Sequence, residues 1–279
     1  MQVISSIAEL RERLKDQKNI GFVPTLGNLH DGHIKIVGIA KEHAAFSVVS
    51  VFVNRLQFEP GGDFDRYPRT LMEDCAKLDA AGVDIVFAPD EKELYPAQQV
   101  VFVEPSPMAV MLEGEHRPGH FRGVTTVVLK LLNIVEPDVV VFGKKDYQQL
   151  AILRAMVEQL NVPVEVIGGE TVRAEDGLAL SSRNSYLTPA QRIEAPRLQR
   201  HLSRIKFEVE KNKRDNFKQL ENLATEDLEI HGWKPDYVSV RNRHTLNLPN
   251  PDDKELVVLA AVWLGNTRLI DNLEIILGK

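Results

Sequence analysis

Cysteine, aromatic residues and long apolar runs are scarce in this chain of 279 residues. The single cysteine, Cys75, excludes a disulfide within one chain and is typical of proteins from a reducing compartment. No apolar run approaches the ~18 residues that a membrane-spanning helix requires. The formal net charge of −6 argues against general affinity for nucleic acids or anionic membranes. We therefore expect a cytoplasmic protein with no nucleic-acid partner and no membrane partner.

The first two thirds of the chain alternate short β-rich runs with helical patterns. The Val-, Ile- and Phe-rich runs lack polar alternation, which is typical of strands covered on both faces. This pattern predicts a doubly wound, Rossmann-like parallel α/β sheet, in which ligands bind at the carboxyl ends of the strands. The predicted strands are 20–24, 46–54, 83–88, 100–103, 139–142 and 163–167; the predicted helices are 34–43, 70–81, 125–135 and 147–160.

One helix, 70–81, carries the cysteine. Leu71, Cys75 and Leu78 share one face of this helix, so we expect Cys75 to be a small buried hydrophobe rather than a catalytic thiol.

The sequence changes character after about residue 170. Turn residues are followed by Thr188 and Pro189, which are typical of an N-cap and a first helical position. A charged helical stretch and candidate strands at 237–240, 256–263 and 268–270 predict a small α+β domain. We therefore expect two domains, a Rossmann-like domain over 1–172 and the smaller α+β domain over 173–279.

The sharpest motif is FVPTLGNLHDGH at residues 22–33. The first predicted strand ends at Pro24, a glycine turn follows, and His30 and His33 open a helix. Free N–H groups and the helix dipole favour an anion there, and two imidazoles one turn apart add donors for a polyphosphate. The alternatives are a chance pair of histidines or part of a zinc site, for which this segment adds only Asp31. The motif favours phosphate binding.

A second motif, LSSRN at residues 180–184, follows the turn that leaves the predicted sheet. Hydroxyl groups and an arginine can close over phosphates and stabilise charge that develops during nucleotidyl transfer. Together the two motifs resemble the signature of the HxGH nucleotidylyltransferase superfamily, whose second motif is similar to the KMSKS loop of class I aminoacyl-tRNA synthetases.

Further motifs narrow the resemblance to the pantothenate synthetase family. They cover nearly the whole chain in the family's order and are weakest around residues 195–255. The motifs are NRLQF (54–58), DRYPRT (65–70), RPGHFRG (117–123), GKKDYQQL (143–150), DGLA (176–179) and GNTRLIDN (265–272).

The resemblance implies an ATP-dependent ligase that condenses pantoate with β-alanine through a pantoyl adenylate and releases AMP and pyrophosphate. It implies catalytic roles for His30, His33, Lys145, Ser181 and Arg183, with His33 favoured as the partner of the leaving pyrophosphate. ATP would contact Thr25, Leu26, Gly27, Asn28, Leu29, His30, Asp31, Gly32, His33, Gly143, Lys144, Lys145, Asp146, Val172, Leu180, Ser181, Ser182 and Arg183.

Pantoate would contact Asn54, Gln57 and Gln149 by the same resemblance. It also implies Mg²⁺ as the partner of ATP, although the protein ligands of the ion stay unknown; Asp65 fits either an indirect contact or a surface acid. A homodimer is implied, with nucleotide and pantoate binding in the first domain and the closing loop in the second.

The chain departs from the common family pattern at six positions. Leu26 and Leu180 replace methionine, Arg55 replaces proline, Lys144 replaces glutamate, and Ala174 and Glu175 stand in the reverse of the common Glu–Ala order. Two other functions stay open: an adenylyl- or cytidylyltransferase of the same fold with a phosphate acceptor, and a nucleotide-binding module without catalysis. A tRNA synthetase fragment fits the acidic net charge poorly.

Overall fold

A computed structural model describes residues 1–59, 64–212 and 217–278 and divides the chain into two compact units. Unit 1 comprises Met1–Lys144 and Ile152–Glu170, and unit 2 comprises Lys145–Ala151 and the chain from Thr171 onward. The domain boundary between residues 172 and 173 stays a prediction. In these described ranges, no helix combines the length and the apolar character needed to cross a membrane.

Unit 1 is built on a six-stranded parallel sheet. Its strands are β1 (Gln2–Ile4), β2 (Ile20–Thr25), β3 (Phe46–Val51), β4 (Ile85–Phe87), β5 (Val139–Gly143) and β6 (Glu165–Gly169). The helices between them are α1 (Ile7–Leu14), α2 (Asp31–His43), α3 (Leu71–Ala80), α4 (Glu91–Leu94), α5 (Glu113–His116), α6 (His120–Val135) and α7 (Tyr147–Gln159), the last of which begins in unit 2.

The strand order β1-β4-β3-β2-β5-β6 reverses direction beside β2. From β2 the chain adds β3 and β4 on one side and later β5 and β6 on the other. The segments that leave the carboxyl ends of β2 and β5 therefore flank the switch point, which is where doubly wound sheets bind ligands. The predicted parallel Rossmann-like sheet is confirmed.

Both faces of the sheet are buried at the strands β2, β3 and β4. Val23, Val49 and Val86 pack in one cluster with Val37 of α2 and Leu78 of α3. Their neighbours along the strands point to the opposite face and are equally inaccessible; they are Phe22, Val48 and Ile85. Two covered faces explain why these strands read as continuous apolar runs.

The strand predicted at 100–103 is wrong. Val100 and Val101 are each 75% exposed, and the segment has no strand partner. Side chains of α6 bond the main chain of Val103 instead: its N–H donates to Thr126 Oγ1 at 3.0 Å and its carbonyl accepts from Thr125 Oγ1 at 2.8 Å. The Val-rich run predicted a strand, but its main chain bonds threonine hydroxyl groups instead of a neighbouring strand.

Other elements also differ from the prediction. Helix α2 begins at Asp31 rather than at residue 34, and β3 ends at Val51 rather than at residue 54. The three-residue strand β1 was not predicted. Helix α6 begins at His120 rather than Thr125, after Gly119 adopts a left-handed φ of 81°. The break at Gly119 also separates His116 from His120, so the two histidines do not share a helix.

Unit 2 is an α+β unit with a three-stranded antiparallel sheet, β7 (Trp233–Asn242), β8 (Glu255–Leu264) and β9 (Thr267–Ile276), in sequential order. Its helices are α8 (Pro189–Glu194), α9 (Arg197–Asn212) and α10 (Phe217–Ile230). Leu198, Leu202 and Ile205 recur at helical spacing along α9 and pack on the sheet core with Leu228 of α10. Thr188 caps α8 in front of Pro189, as predicted.

Candidate functional site

The segment after β2 turns sharply before α2 begins. Gly27 has a φ of 81° and Asn28 a φ of 52°, so two consecutive residues adopt the left-handed conformation. A Cβ on Gly27 would lie 3.0 Å from Val51 Cγ1 and 3.1 Å from Asp74 Oδ2, which is tighter than ordinary contact, and the positive φ itself favours glycine. Thr25 Oγ1 donates to Ser50 O at 2.7 Å and accepts from Gly27 N at 3.2 Å. The turn is thus tied to the sheet.

Helix α3 holds the same turn from the side. The carboxylate of Asp74, fully buried, accepts from Asn28 N at 2.9 Å and from Leu29 N at 2.7 Å. It also accepts from Thr70 Oγ1 at 3.1 Å, while Lys77 Nζ donates to Leu29 O. Donors and acceptors of the turn are therefore both satisfied by α3, and the turn has a fixed shape.

His30 and His33 cap the first turn of α2. Gly32 N donates to His30 Nδ1 at 3.1 Å, and His30 N donates to His33 Nδ1 at 3.2 Å. Their ring centroids are 4.1 Å apart. Because each Nδ1 accepts a main-chain N–H, the neutral ring carries its proton on Nε2. Both half-buried imidazoles therefore have Nε2–H as their donor at the positive end of a 13-residue helix.

A polar network in unit 1 orients Gln57. Tyr95 OH donates to Asn54 Oδ1 at 2.8 Å, and Asn54 Nδ2 donates to Gln57 Oε1 at 3.0 Å and to Gly123 O at 3.2 Å. Burial, reinforced by Glu91, raises the pKa of Tyr95, so its hydroxyl stays protonated at neutral pH. The order of donors fixes both amides and leaves Gln57 Nε2 as a donor for a ligand.

Helix α6 supports this network from its first turns. His120 Nδ1 lies 2.8 Å from Gln57 O, and His120 Nε2 lies 3.2 Å from Arg117. A Cβ on Gly123 would lie 2.1 Å from Leu56 O, so only glycine allows α6 to approach the residues 55–57 this closely. The fully buried Asn54 and the half-buried Gln57 consequently have little freedom.

Two of the remaining predicted residues, Gly143 and Lys144, end unit 1, and unit 2 contains the others in two segments. The first, Lys145–Ala151, carries Lys145, Asp146 and Gln149; Asp146 is exposed and the other two are half-buried. In the second, Leu180 N donates to Val172 O at 2.9 Å, and an antiparallel bridge pairs Arg173 with Ala179. This short ribbon leads directly to Ser181, whose Oγ accepts from Arg183 N at 3.3 Å and caps the 3₁₀ turn Ser182–Tyr186.

A comparison with known protein families identifies the family of this chain. The family model described as pantoate-beta-alanine ligase matches residues 2–274. The chain belongs to the pantoate-beta-alanine ligase family. A pantothenate synthetase of Nitrosospira multiformis is 58% identical over 275 residues, which cover 99% of this chain and 98% of the relative. The resemblance seen in the sequence is thus confirmed, and with it the prediction of an enzyme of this family.

Solved structures of the family share the fold. Pantothenate synthetase from Thermus thermophilus has a TM-score of 0.92 at 44% identity and covers 98% of this chain and 99% of its own. A pantoate-beta-alanine ligase from Francisella tularensis, complexed with beta-gamma ATP and β-alanine, has a TM-score of 0.80 at 34% identity and covers 98% and 97% of the two chains.

The two departures from the family pattern that add a positive charge, Arg55 and Lys144, are each paired with a nearby acid. The Arg55 guanidinium pairs with Glu91 at 3.1 Å and lies 4.0 Å from the centre of the Phe64 ring. Lys144 forms an ion pair with Glu170. Neither side chain therefore adds an uncompensated charge to unit 1.

Several residues that shape the site were not singled out from the sequence. Asp74 is the clearest, because an acid at position 74 lies on the same helical face as Cys75 and Leu78, and an acid on an apolar face is an informative exception. Leu78 is fully buried, Cys75 is half-buried against the core, and Leu71 is 41% exposed. The buried face of α3 is therefore narrower than predicted. Tyr95 carried no comparable signal, and Gly123 entered only as the last residue of the RPGHFRG motif.

Proposed function

We propose that this protein condenses pantoate with β-alanine in two steps, through a pantoyl adenylate, and releases AMP and pyrophosphate. The observation that carries the proposal is the paired histidine cap, in which two Nε2–H donors stand at the start of α2 on a rigid turn. Membership of the pantoate-beta-alanine ligase family supplies the identity of the acid and the amine.

In the first step a carboxylate oxygen of pantoate forms a bond to the α-phosphorus of ATP. The bond from that phosphorus to the bridging oxygen breaks, and pyrophosphate leaves with the electron pair. A carboxylate is ionised at neutral pH, so this step needs alignment and charge stabilisation rather than a base. His30 and His33 would donate from Nε2 to phosphate oxygens, with His33 serving the leaving pyrophosphate.

In the second step the deprotonated amine of β-alanine forms a bond to the acyl carbon. The bond from that carbon to the phosphate oxygen breaks, AMP leaves, and the amine gives its remaining extra proton to solvent. Gln57 would hold pantoate through its Nε2–H, since its Oε1 already accepts from Asn54. Gln149 would bind a second pantoate oxygen; its role rests on the family resemblance.

The other nucleotide contacts are proposed on the same resemblance. The turn from Thr25 to Leu29 and Gly143 would border ATP from unit 1, and Lys145 would contact phosphate. Asn28 N and Leu29 N already donate to Asp74, so these two amides serve the shape of the turn rather than the phosphates.

Magnesium would arrive bound to ATP. Within the part of the chain that the structure describes, no group of three His, Cys, Asp or Glu side chains is placed to hold a metal ion. We propose an ion carried mainly by phosphate oxygens and water, which is a common arrangement for Mg²⁺ in nucleotide sites. We also propose a cytoplasmic homodimer, an inference from the family resemblance and from the low cysteine content.

The test is pyrophosphate release from ATP–Mg²⁺ with pantoate alone, followed by AMP release on addition of β-alanine. We expect a stoichiometric burst of pyrophosphate and then turnover that depends on β-alanine. Absence of a burst in protein that binds ATP would refute the acid substrate. Turnover with a phosphate-ester acceptor instead would support the alternative nucleotidyltransferase.

His33 gives the mechanism a sharper test. Glutamine can place an N–H near the Nε2 position, whereas asparagine can place an acceptor near the Nδ1 position. We expect His33→Asn to keep the helix cap and to lower the burst rate by about 10²-fold or more, as for loss of a charge-stabilising donor. We expect His33→Gln to retain more activity than His33→Asn. His43→Asn, at the exposed end of the same helix, is the matched control.

A further inference from the structure

The tail motif GNTRLIDN has no role in the mechanism above, yet its last two residues are almost completely buried. Asp271 and Asn272 are 4% and 6% exposed in the middle of β9. Polar side chains at that depth are costly unless they form hydrogen bonds, so their partners indicate what they do.

Asn272 bonds the segment that carries the proposed phosphate-binding lysine. Its Nδ2 donates to the main-chain carbonyl of Lys145 at 2.9 Å. Glu274, two residues further along the same face of β9, accepts from Tyr147 OH at 3.0 Å. The segment is therefore attached to one strand on both sides of Asp146, through the main-chain carbonyl of Lys145 and through the side chain of Tyr147.

The strand itself is held firmly at this position. Asp271 accepts from both terminal nitrogens of Arg173 at 2.7 and 2.8 Å, and the same guanidinium donates to Asn272 O at 3.3 Å. A bidentate arginine–carboxylate pair is among the most strongly oriented side-chain contacts. Asn272 thus projects from a fixed base, and its bond fixes Lys145 rather than following it.

We infer that Asn272 is a positioning residue for Lys145, an inference that rests on the proposed function. The lysine side chain is long and flexible, so its ammonium group reaches a phosphate reproducibly only if the main chain from which it projects is immobile. Its own carbonyl is the atom that Asn272 holds. A displacement of about 1 Å at a reacting centre can cost ~10²-fold in rate.

The test is a double-mutant cycle on the pyrophosphate burst with Asn272→Leu, Lys145→Ala and the double variant. Leucine branches at Cγ like asparagine, but it is larger and lacks the donor. We expect Asn272→Leu to lower the burst rate about 10- to 100-fold with the KM for ATP changed less than about threefold. In the Lys145→Ala background the same substitution should change the rate less than about threefold, because it acts through the lysine. Asn222→Leu, at an exposed position of α10, is the matched control.

Three results would overturn the inference: a wild-type rate in folded Asn272→Leu, no effect of Lys145→Ala, or losses that multiply in the double variant. Multiplying losses indicate a general structural role. If Asn272→Leu does not fold, Tyr147→Phe replaces it in the same cycle, since it removes one hydroxyl of the second attachment point. Wild-type protein that gives no burst with pantoate would instead refute the proposed function, so the two failures are distinguishable.

Discussion

Replacement of Asp74 by asparagine tests how much α3 stabilises the turn between β2 and α2. The wild-type carboxylate accepts from Asn28 N and Leu29 N on separate oxygens, and from Thr70. Asparagine has one oxygen in place of two, so its NH₂ group must face one of the two amides. At least one charge-assisted hydrogen bond is lost, and one buried N–H loses its acceptor.

The magnitude follows from that count. A hydrogen bond to a charged group contributes about 1.5–3 kcal/mol, and a buried donor without a partner costs about 1–3 kcal/mol. The two figures overlap because both count the same N–H group, so we expect a local loss of about 2–4 kcal/mol. Asp74 is fully buried, and solvent therefore does not screen the loss. A loss of about 2.8 kcal/mol corresponds to a factor of about 100 in the local opening equilibrium.

The assay must report on unit 1. Both tryptophans of the chain, Trp233 and Trp263, lie in unit 2, so tryptophan fluorescence follows the wrong unit. Hydrogen exchange of the Asn28 and Leu29 amides measures the turn directly, and we expect it to accelerate about 30- to 1,000-fold. The KM for ATP should rise in the same variant, since the turn precedes the histidine cap.

The matched control is Glu73→Gln, which removes the same charge from the exposed neighbouring position of α3. It should leave exchange and KM near their wild-type values. Folded Asp74→Asn protein with wild-type exchange at both amides would refute the reasoning, as would an equal effect of Glu73→Gln.

Three further expectations follow. Tyr95→Phe removes the donor that orients Asn54, and we expect the KM for pantoate to rise several-fold with ATP binding unchanged; an unchanged pantoate KM would show that the amide needs no such anchor. Gly123→Ala places a methyl group against main chain and should lower the free energy of unfolding by about 3 kcal/mol, measured by urea denaturation; a loss below about 1 kcal/mol would contradict the close approach. Burial alone would raise the pKa of Asp227, but hydrogen bonds from His201 and Arg197 outweigh it, so the folded pKa lies below the unfolded value. This contribution to stability is present above the unfolded pKa of about 4 and is lost as the pH falls through the folded pKa, so urea midpoints from about pH 6 to about pH 3 should decline more steeply in the wild type than in Asp227→Asn.

The sequence was sufficient to predict the parallel sheet, because strands buried on both faces produce continuous apolar runs. It failed at 100–103, where hydroxyl groups of Thr125 and Thr126 take the place of a neighbouring strand. The periodicity of the segment cannot show these side-chain contacts, since they depend on a helix that comes about 20 residues later in the chain.

The histidine cap could be placed from the sequence, but its tautomers could not. The choice of nitrogen follows from main-chain N–H groups that point at each Nδ1 only once the turn has formed. The attachments of Asn54 to Tyr95 and Gly123, and of Asn272 to Lys145, were equally hidden, because these partners lie far away in the sequence. Asn54 and Asn272 both lie inside motifs of the family, but a motif does not show which group each of them holds in place.

The path of the chain between the two units has an evolutionary consequence. The chain enters unit 2 at Lys145, leaves it after Ala151 and returns at Thr171. Recombination at the predicted boundary after residue 172 would therefore produce a chimaera in which Lys145 and Tyr147 come from one parent and Asn272 and Glu274 from the other. Unit 2 cannot be exchanged between relatives as a single contiguous cassette. We expect natural and engineered chimaeras of this family to keep residues 145–151 and the C-terminal strand from the same parent.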